Sequence, residues 1–174
     1  GYANGLYMPD GGAFISQFKS SLTRAFNSLA NKKFDEYNKK VYALVSNMRI
    51  ALERRDFLQQ LDCFICNEHE AGLLFLDDYS KTEPEEMCNI LAEKIKSANI
   101  ASMIVTMGAK GAVYADAQGN KGCVEAKKVI VADTTGAGDA FCAGAMSGLT
   151  YGKNLEEAIL IGNTLAASVI TTTD

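Results

Sequence analysis

The run Asp133-Thr134-Thr135-Gly136-Ala137-Gly138-Asp139 combines two things needed to move a phosphoryl group, backbone that can hold an anion and a carboxylate at its lip. Val129-Ile130-Val131-Ala132 ahead of it reads as a strand and Ala140 to Met146 behind it as a helix, so the glycines fall where a helix begins. N–H groups at a helix start have no intrahelical acceptor and lie at the positive end of the helix dipole, which makes them a site for a phosphate. Gly136 and Gly138 let the backbone approach a ligand with no Cβ in the way, and Asp139 stands where it can take a proton from a hydroxyl attacking that phosphate. Singly, an Asp at a helix start is an N-cap and a glycine turn is ordinary structure; it is the combination that points to chemistry.

Two further segments bear on the same chemistry. Ile104 to Tyr114 reads as a strand, a glycine turn and a second strand, which alone is an ordinary hairpin. Cys66-Asn67-Glu68-His69-Glu70-Ala71 follows the apolar run Leu61 to Ile65, and alone it would be a helix cap with a solvated acid. In this order the segments resemble the ribokinase family of carbohydrate and nucleoside kinases. Asp133 to Asp139 matches that family's Asp-Thr-x-Gly-Ala-Gly-Asp at every fixed position, Thr106-x-Gly108-x-x-Gly111 is similar to its nucleotide-binding segment, and Asn67-x-x-Glu70 to its Asn-x-x-Glu motif. Asn163, among the small residues Ile161 to Ala167, resembles the helix beside the nucleotide base, although small residues also serve close packing. The resemblance covers roughly residue 41 to the C-terminus.

The resemblance implies transfer of the γ-phosphoryl of ATP to a hydroxyl, typically a primary CH2OH, of a sugar or nucleoside. Asp139 would be the base, and Gly136, Ala137 and Gly138 the anion hole. Asp133 and Asp139 would meet the acceptor. Thr106, Gly108, Gly111, Asn163 and Asn67 would serve the nucleotide, and Glu70 would hold Mg²⁺ through water. It also admits a monovalent cation such as K⁺ and a homodimer. The implied fold is a three-layer α/β/α arrangement with a mainly parallel central sheet. The family's N-terminal half, with its Gly-Gly sugar-binding segment and lid, does not fit within 174 residues. A fragment or incomplete record is therefore expected, and a non-catalytic nucleotide-binding or subunit-interaction chain is the rival reading. A dinucleotide-binding oxidoreductase is disfavoured because Phe141 stands where Gly-x-Gly-x-x-Gly needs its third glycine, and no P-loop pattern occurs.

The elements that must position these residues can be read more coarsely. With 48% hydrophobic and 22% charged residues, the chain is expected to form one α/β domain over 1–174, with 1–40 unassigned and 41–174 the nucleotide-binding and catalytic part. Thr82-x-x-Glu85 reads as a capping box before a helix whose Met87, Ile90, Leu91 and Ile95 share a face, giving strand, helix, strand with the run near Met103. Asn154 reads as the cap of a last helix presenting Leu155, Ile159 and Gly162. Phe14, Phe18, Leu22, Phe26 and Leu29 recur at helical spacing, and the charge run from Lys32 to Lys40 reads as a solvated face. Arg49, Arg54, Arg55 and Lys110 read as surface groups, and His69 as a loop residue.

A net charge of −4 offers no electrostatic attraction to nucleic acid or an anionic membrane, and no apolar run reaches the length of a membrane span. Five cysteines in no recognisable framework suit reduced thiols and a cytoplasmic setting. Cys63 and Cys66 would face opposite sides of a strand, which argues against a redox or zinc pair.

Overall fold

The structure, a computed structural model, describes residues 2–3, 6–7, 40–44, 48–53 and 55–171. The chain divides into two compact units, Gly1–Lys39 and Lys40–Asp174. In the first, strands β1 (Tyr2–Ala3) and β2 (Leu6–Tyr7) pair antiparallel. The helix read from Phe14 to Leu29, the charge run as far as Lys39, and Arg54 lie outside the described residues.

The second unit is built on one five-stranded sheet whose strands lie side by side in chain order. They are β3 (Tyr42–Leu44), β4 (Cys63–Asn67), β5 (Ser102–Thr106), β6 (Ala112–Asp116) and β7 (Lys121–Val124). β3, β4 and β5 pair parallel; β6 runs against β5 and β7 against β6, so four of the five strands point one way. Short helices α1 (Met48–Glu53) and α2 (Arg55–Leu58) lead from β3 to β4, and α3 (Glu68–Phe75) and α4 (Pro84–Ala98) connect β4 to β5. Helices α5 (Ala137–Thr150) and α6 (Leu155–Ile170) complete the unit.

Strand alternation divides the core in two. Phe64 and Cys66 of β4 join Met103 and Val105 of β5 in a cluster with Met87, Leu91 and Ile95 of α4. Cys63 and Ile65, with Ile104, pack instead with Phe141, Cys142 and Ala145 of α5 and Ile159 of α6. The sheet is thus the middle of three layers, and Cys63 and Cys66 do face opposite ways, as free buried thiols. Each fully buried Leu, Ile or Met contributes about 1.5–3 kcal/mol relative to exposure, so the α4 stripe alone holds that helix to the sheet. α5 and α6 meet at glycines: a Cβ on Gly144 would stand 2.9 Å from Gly162 Cα.

Some local expectations are corrected. Val129–Ala132 is not a strand: it joins no ladder, Ile130 is 88% exposed, and Ala132 N–H donates to Ile170 O at 2.8 Å. An apolar run forms a strand only where a neighbouring edge takes up its N–H and C=O groups, and nothing in its composition supplies that edge. α4 starts without the Thr82–Glu85 box. Its N-cap is Glu83, with no side-chain cap, and Pro84 opens the helix; proline brings a helical φ and no N–H to satisfy. By contrast Asn154 caps α6 in a full capping box with Glu157. Among the described residues no helix is long and apolar enough to cross a membrane.

Candidate active site

The signature lies in an exposed turn that enters α5. Asp133 Oδ1 accepts from both Thr135 N–H, at 2.9 Å, and Thr135 Oγ1, at 2.8 Å. These donors, the backbone one foremost, hold the Asp133 carboxyl below the usual carboxylate range. Gly136 then turns left-handed, with φ 80°, and is the N-cap of α5 without any side-chain cap. Ala137 N–H donates to Thr134 O and Ala140 N–H to Gly136 O. That leaves the N–H groups of Gly138 and Asp139 without a protein acceptor among the described residues. A Cβ built on Gly138 would meet nothing within 4 Å. Two aligned donors, the positive end of a fourteen-residue helix and empty space above a glycine suit an anion.

Parallel pairing of β4 and β5 brings the other motifs to one end of the sheet. Asn67 and Thr106 are register partners at the carboxyl ends of their strands, and Thr106 Oγ1 points to Cys66 O at 3.5 Å. Ligands of open α/β sheets bind at this end. Asn67 Oδ1 accepts from Glu70 N–H at 2.8 Å, and Glu70 Oε2 accepts from Asn67 N–H at 2.9 Å, a reciprocal capping box that starts α3. The box fixes the Glu70 carboxylate and leaves Oε1 for another ligand. His69 lies exposed in the first turn of α3 rather than in a loop.

Electrostatics link this corner to the signature. The Cys142 thiol, one turn beyond Asp139, is pushed up to about 12, first by burial and then by the negative charges of Asp139 and Glu70. Cys66 is likewise raised, by burial foremost and then by Glu70, with Cys142 and Cys63 adding to it. Glu70 and Asp139, remote in sequence, therefore bear on the same buried thiol. Among the described residues no group of three or more His, Cys, Asp or Glu side chains could cage a metal ion. A single carboxylate fits Mg²⁺, which keeps several waters and takes phosphate oxygens as ligands.

A family model described as the pfkB family carbohydrate kinase matches residues 11–174. The chain belongs to this family. Among curated relatives it is 35% identical over 135 residues to a guanosine-inosine kinase of Exiguobacterium acetylicum, covering 77% of this chain and 44% of that one. It is 31% identical over 105 residues to a ribokinase of Schizosaccharomyces pombe, covering 60% and 33%. Among solved structures, a ribokinase of Cryptococcus neoformans in complex with ADP superimposes with TM-score 0.72 at 24% identity, over 88% of this chain and 52% of that one. The α/β fold is thus ribokinase-like, and the chain spans less than half the length of these two curated relatives.

In this pfkB-family chain the Thr106–Gly111 segment is a hairpin closed by a 3-10 turn, Gly108–Lys110, between β5 and β6. Gly111 has φ 100°, and a Cβ there would lie 2.0 Å from Val124 O, so only glycine fits against the end of β7. Lys110 is not a purely solvated side chain: its Nζ donates to Thr82 O at 3.2 Å and pairs with Glu83 at 3.1 Å, tying the turn to the start of α4. Asn163 is buried, and its Nδ2 donates to Glu125 O at 2.9 Å. Phe141, at the position a dinucleotide fingerprint gives to glycine, packs in the core against Gly162. Sequence reasoning passed over Cys142 and the Val124–Ala126 backbone. The first carried a signal, its one-turn spacing from Asp139; the second carried none, because its role rests on main-chain atoms.

Proposed function

We propose that this chain carries the nucleotide-binding and catalytic part, residues 41–174, of a cytoplasmic kinase that transfers the γ-phosphoryl of ATP to a hydroxyl of a sugar or nucleoside. The observation that carries this reading is the open start of α5, where two backbone donors and the vacant Cβ position of Gly138 lie beside a carboxylate. Gly136, Ala137 and Gly138 form the anion hole for the transferred group, and Asp139 takes the proton of the acceptor hydroxyl. The acceptor oxygen bonds to the γ-phosphorus as the bond from that phosphorus to the β–γ bridging oxygen breaks, and ADP leaves. Bound Mg²⁺ would neutralise phosphate charge. Glu70, fixed by its capping box with Asn67, offers Oε1 to that ion's water shell. Thr106, Gly108, Gly111, Asn163 and Asn67 serve the nucleotide side. Asp133, with Oδ1 engaged by Thr135, has Oδ2 left for the acceptor.

The test is Mg²⁺-dependent ADP release by the full-length protein on ribose, fructose, adenosine, guanosine and inosine, with Asp139→Asn alongside. Acceptor-dependent turnover that falls more than about a hundredfold in the variant is expected, the usual scale for loss of a general base. Undiminished turnover in the variant would remove Asp139 from that role. The rival reading is a non-catalytic nucleotide-binding or subunit-interaction chain that keeps the kinase fold. ATP binding with no turnover on any acceptor would select it.

A further inference from the structure

Asn163 is a polar side chain only 7% exposed, on a helix whose other buried positions are Ala158, Ile159, Gly162 and Ala167. A buried amide persists only where its groups find partners, and here Nδ2 donates to the backbone carbonyl of Glu125. The same short stretch of backbone is pressed from another direction by the nucleotide turn. A Cβ on Gly111 would stand 2.7 Å from Ala126 N and 2.9 Å from Glu125 C, as well as against Val124 O. Residues 124–126 therefore join the Gly108–Gly111 turn to α6.

α6 in turn reaches the signature by two routes. Its Ile170 carbonyl accepts the Ala132 N–H at 2.8 Å, just before Asp133. Its Val169 Cγ1 lies 3.6 Å from where a Cβ on Gly136 would be. Close packing at Gly144 and Gly162 makes α5 and α6 one rigid pair, since neither backbone can approach or slide without a clash. Through Glu125 O, Asn163 is thus a polar anchor of α6 on the segment that packs against the turn.

Resting on the kinase reading above, we infer that Asn163 is a positioning residue: through the Glu125 carbonyl it sets the spacing between the Gly108–Gly111 turn and the Gly136–Asp139 cradle. It acts on how the phosphates are held. Loss of its donor lets the two halves of the phosphate site drift relative to one another, and orientation errors well under an ångström weaken every ligand that bridges them.

The test compares the full-length protein with Asn163→Asp, which keeps size and removes the donor, and with Asn163→Leu, which serves if the buried carboxylate prevents folding. Binding of ATP, GTP and inorganic tripolyphosphate is measured by calorimetry at a temperature where circular dichroism shows each variant folded. All three affinities are expected to fall by a common factor of about three to ten, the worth of one hydrogen bond, with the ATP to GTP ratio unchanged. Asn163→Gln, with its amide retained on a longer stem, should recover part of that loss. A loss confined to ATP, with tripolyphosphate binding intact, would make Asn163 a base contact and overturn the inference. Unaltered affinities in a folded variant of lower Tm would make it merely structural and overturn it too. If the unsubstituted protein binds none of the three ligands, the kinase reading itself fails and the inference falls with it; that outcome is visible before any variant is compared.

Discussion

Gly138→Ala separates what the fold needs at the start of α5 from what a ligand would need there. Gly138 lies in the first turn of a helix, outside the left-handed region, and a Cβ on it would touch nothing within 4 Å. For the fold alone, alanine is therefore the better residue, by about 0.5–1 kcal/mol, because it loses less backbone entropy on entering a helix. Unfolding followed by circular dichroism should show a Tm raised by roughly 1–4 °C in a protein of this size. For a bound phosphoryl group the same methyl occupies the space over the Gly138 and Asp139 donors and pushes the anion outward. Loss of one such donor costs about 10²–10³ in turnover at comparable oxyanion holes, and a displaced anion should lose at least tenfold. The expected pair of results, a more stable protein with weaker ATP binding and slower turnover, has no purely structural explanation. Raised stability with undiminished binding and turnover would refute the cradle, and lowered stability would refute the open space from which the argument starts.

Two other expectations follow from the same corner. Glu70→Gln keeps an acceptor for the Asn67 N–H while removing the charge, so α3 should remain capped and the Mg²⁺ concentration needed for half-maximal activity should rise several-fold; an unchanged Mg²⁺ dependence would take Glu70 out of the metal network. The buried thiols should show in the alkaline limb of stability. Cys63 and Cys142 are both pushed up to about 12 from an ordinary 9.0, so their protonated form contributes stability that is complete below pH 9 and is lost as pH rises toward 12. At pH 8 iodoacetamide should accordingly modify the exposed Cys123 in the folded protein and reach Cys63 and Cys142 only after denaturation; ready alkylation of Cys142 in the folded state would contradict its burial.

The legible parts of this chain are those whose cause is local. Alternation on β4 placed Cys63 and Cys66 on opposite faces, and the i, i+4, i+8 stripe of Met87, Leu91 and Ile95 placed α4 on the sheet; both depend only on neighbours along the chain. Asn154 and Asn67 head capping boxes because an Asn with a Glu three residues on satisfies two helix-start donors reciprocally. Where a distant partner decides, the local reading fails. Ile130 and Val131 are apolar and β-branched, yet no edge pairs with them. Thr82 and Glu85 have the spacing of a box, yet Pro84 and the pairing of Glu83 with Lys110 settle the start of α4 differently.

The candidate site shows the same division at higher stakes. Each motif reads alone as ordinary structure, and the structure bears that out in part: the Asn67–Glu70 pair is a helix cap, Thr106 to Gly111 is a hairpin, and Asp133 closes its own turn. What none of these local roles accounts for is glycine at 138. Gly136 and Gly111 are required by their positive φ, and Gly144 and Gly162 by the contact of two helices, so the fold itself explains them. Gly138 has neither reason. Glycine at 138, where a methyl would fit and would strengthen the helix, is what the proposed anion site would need, and the Gly138 and Asp139 N–H groups, which have no protein acceptor among the described residues, are the donors it would use.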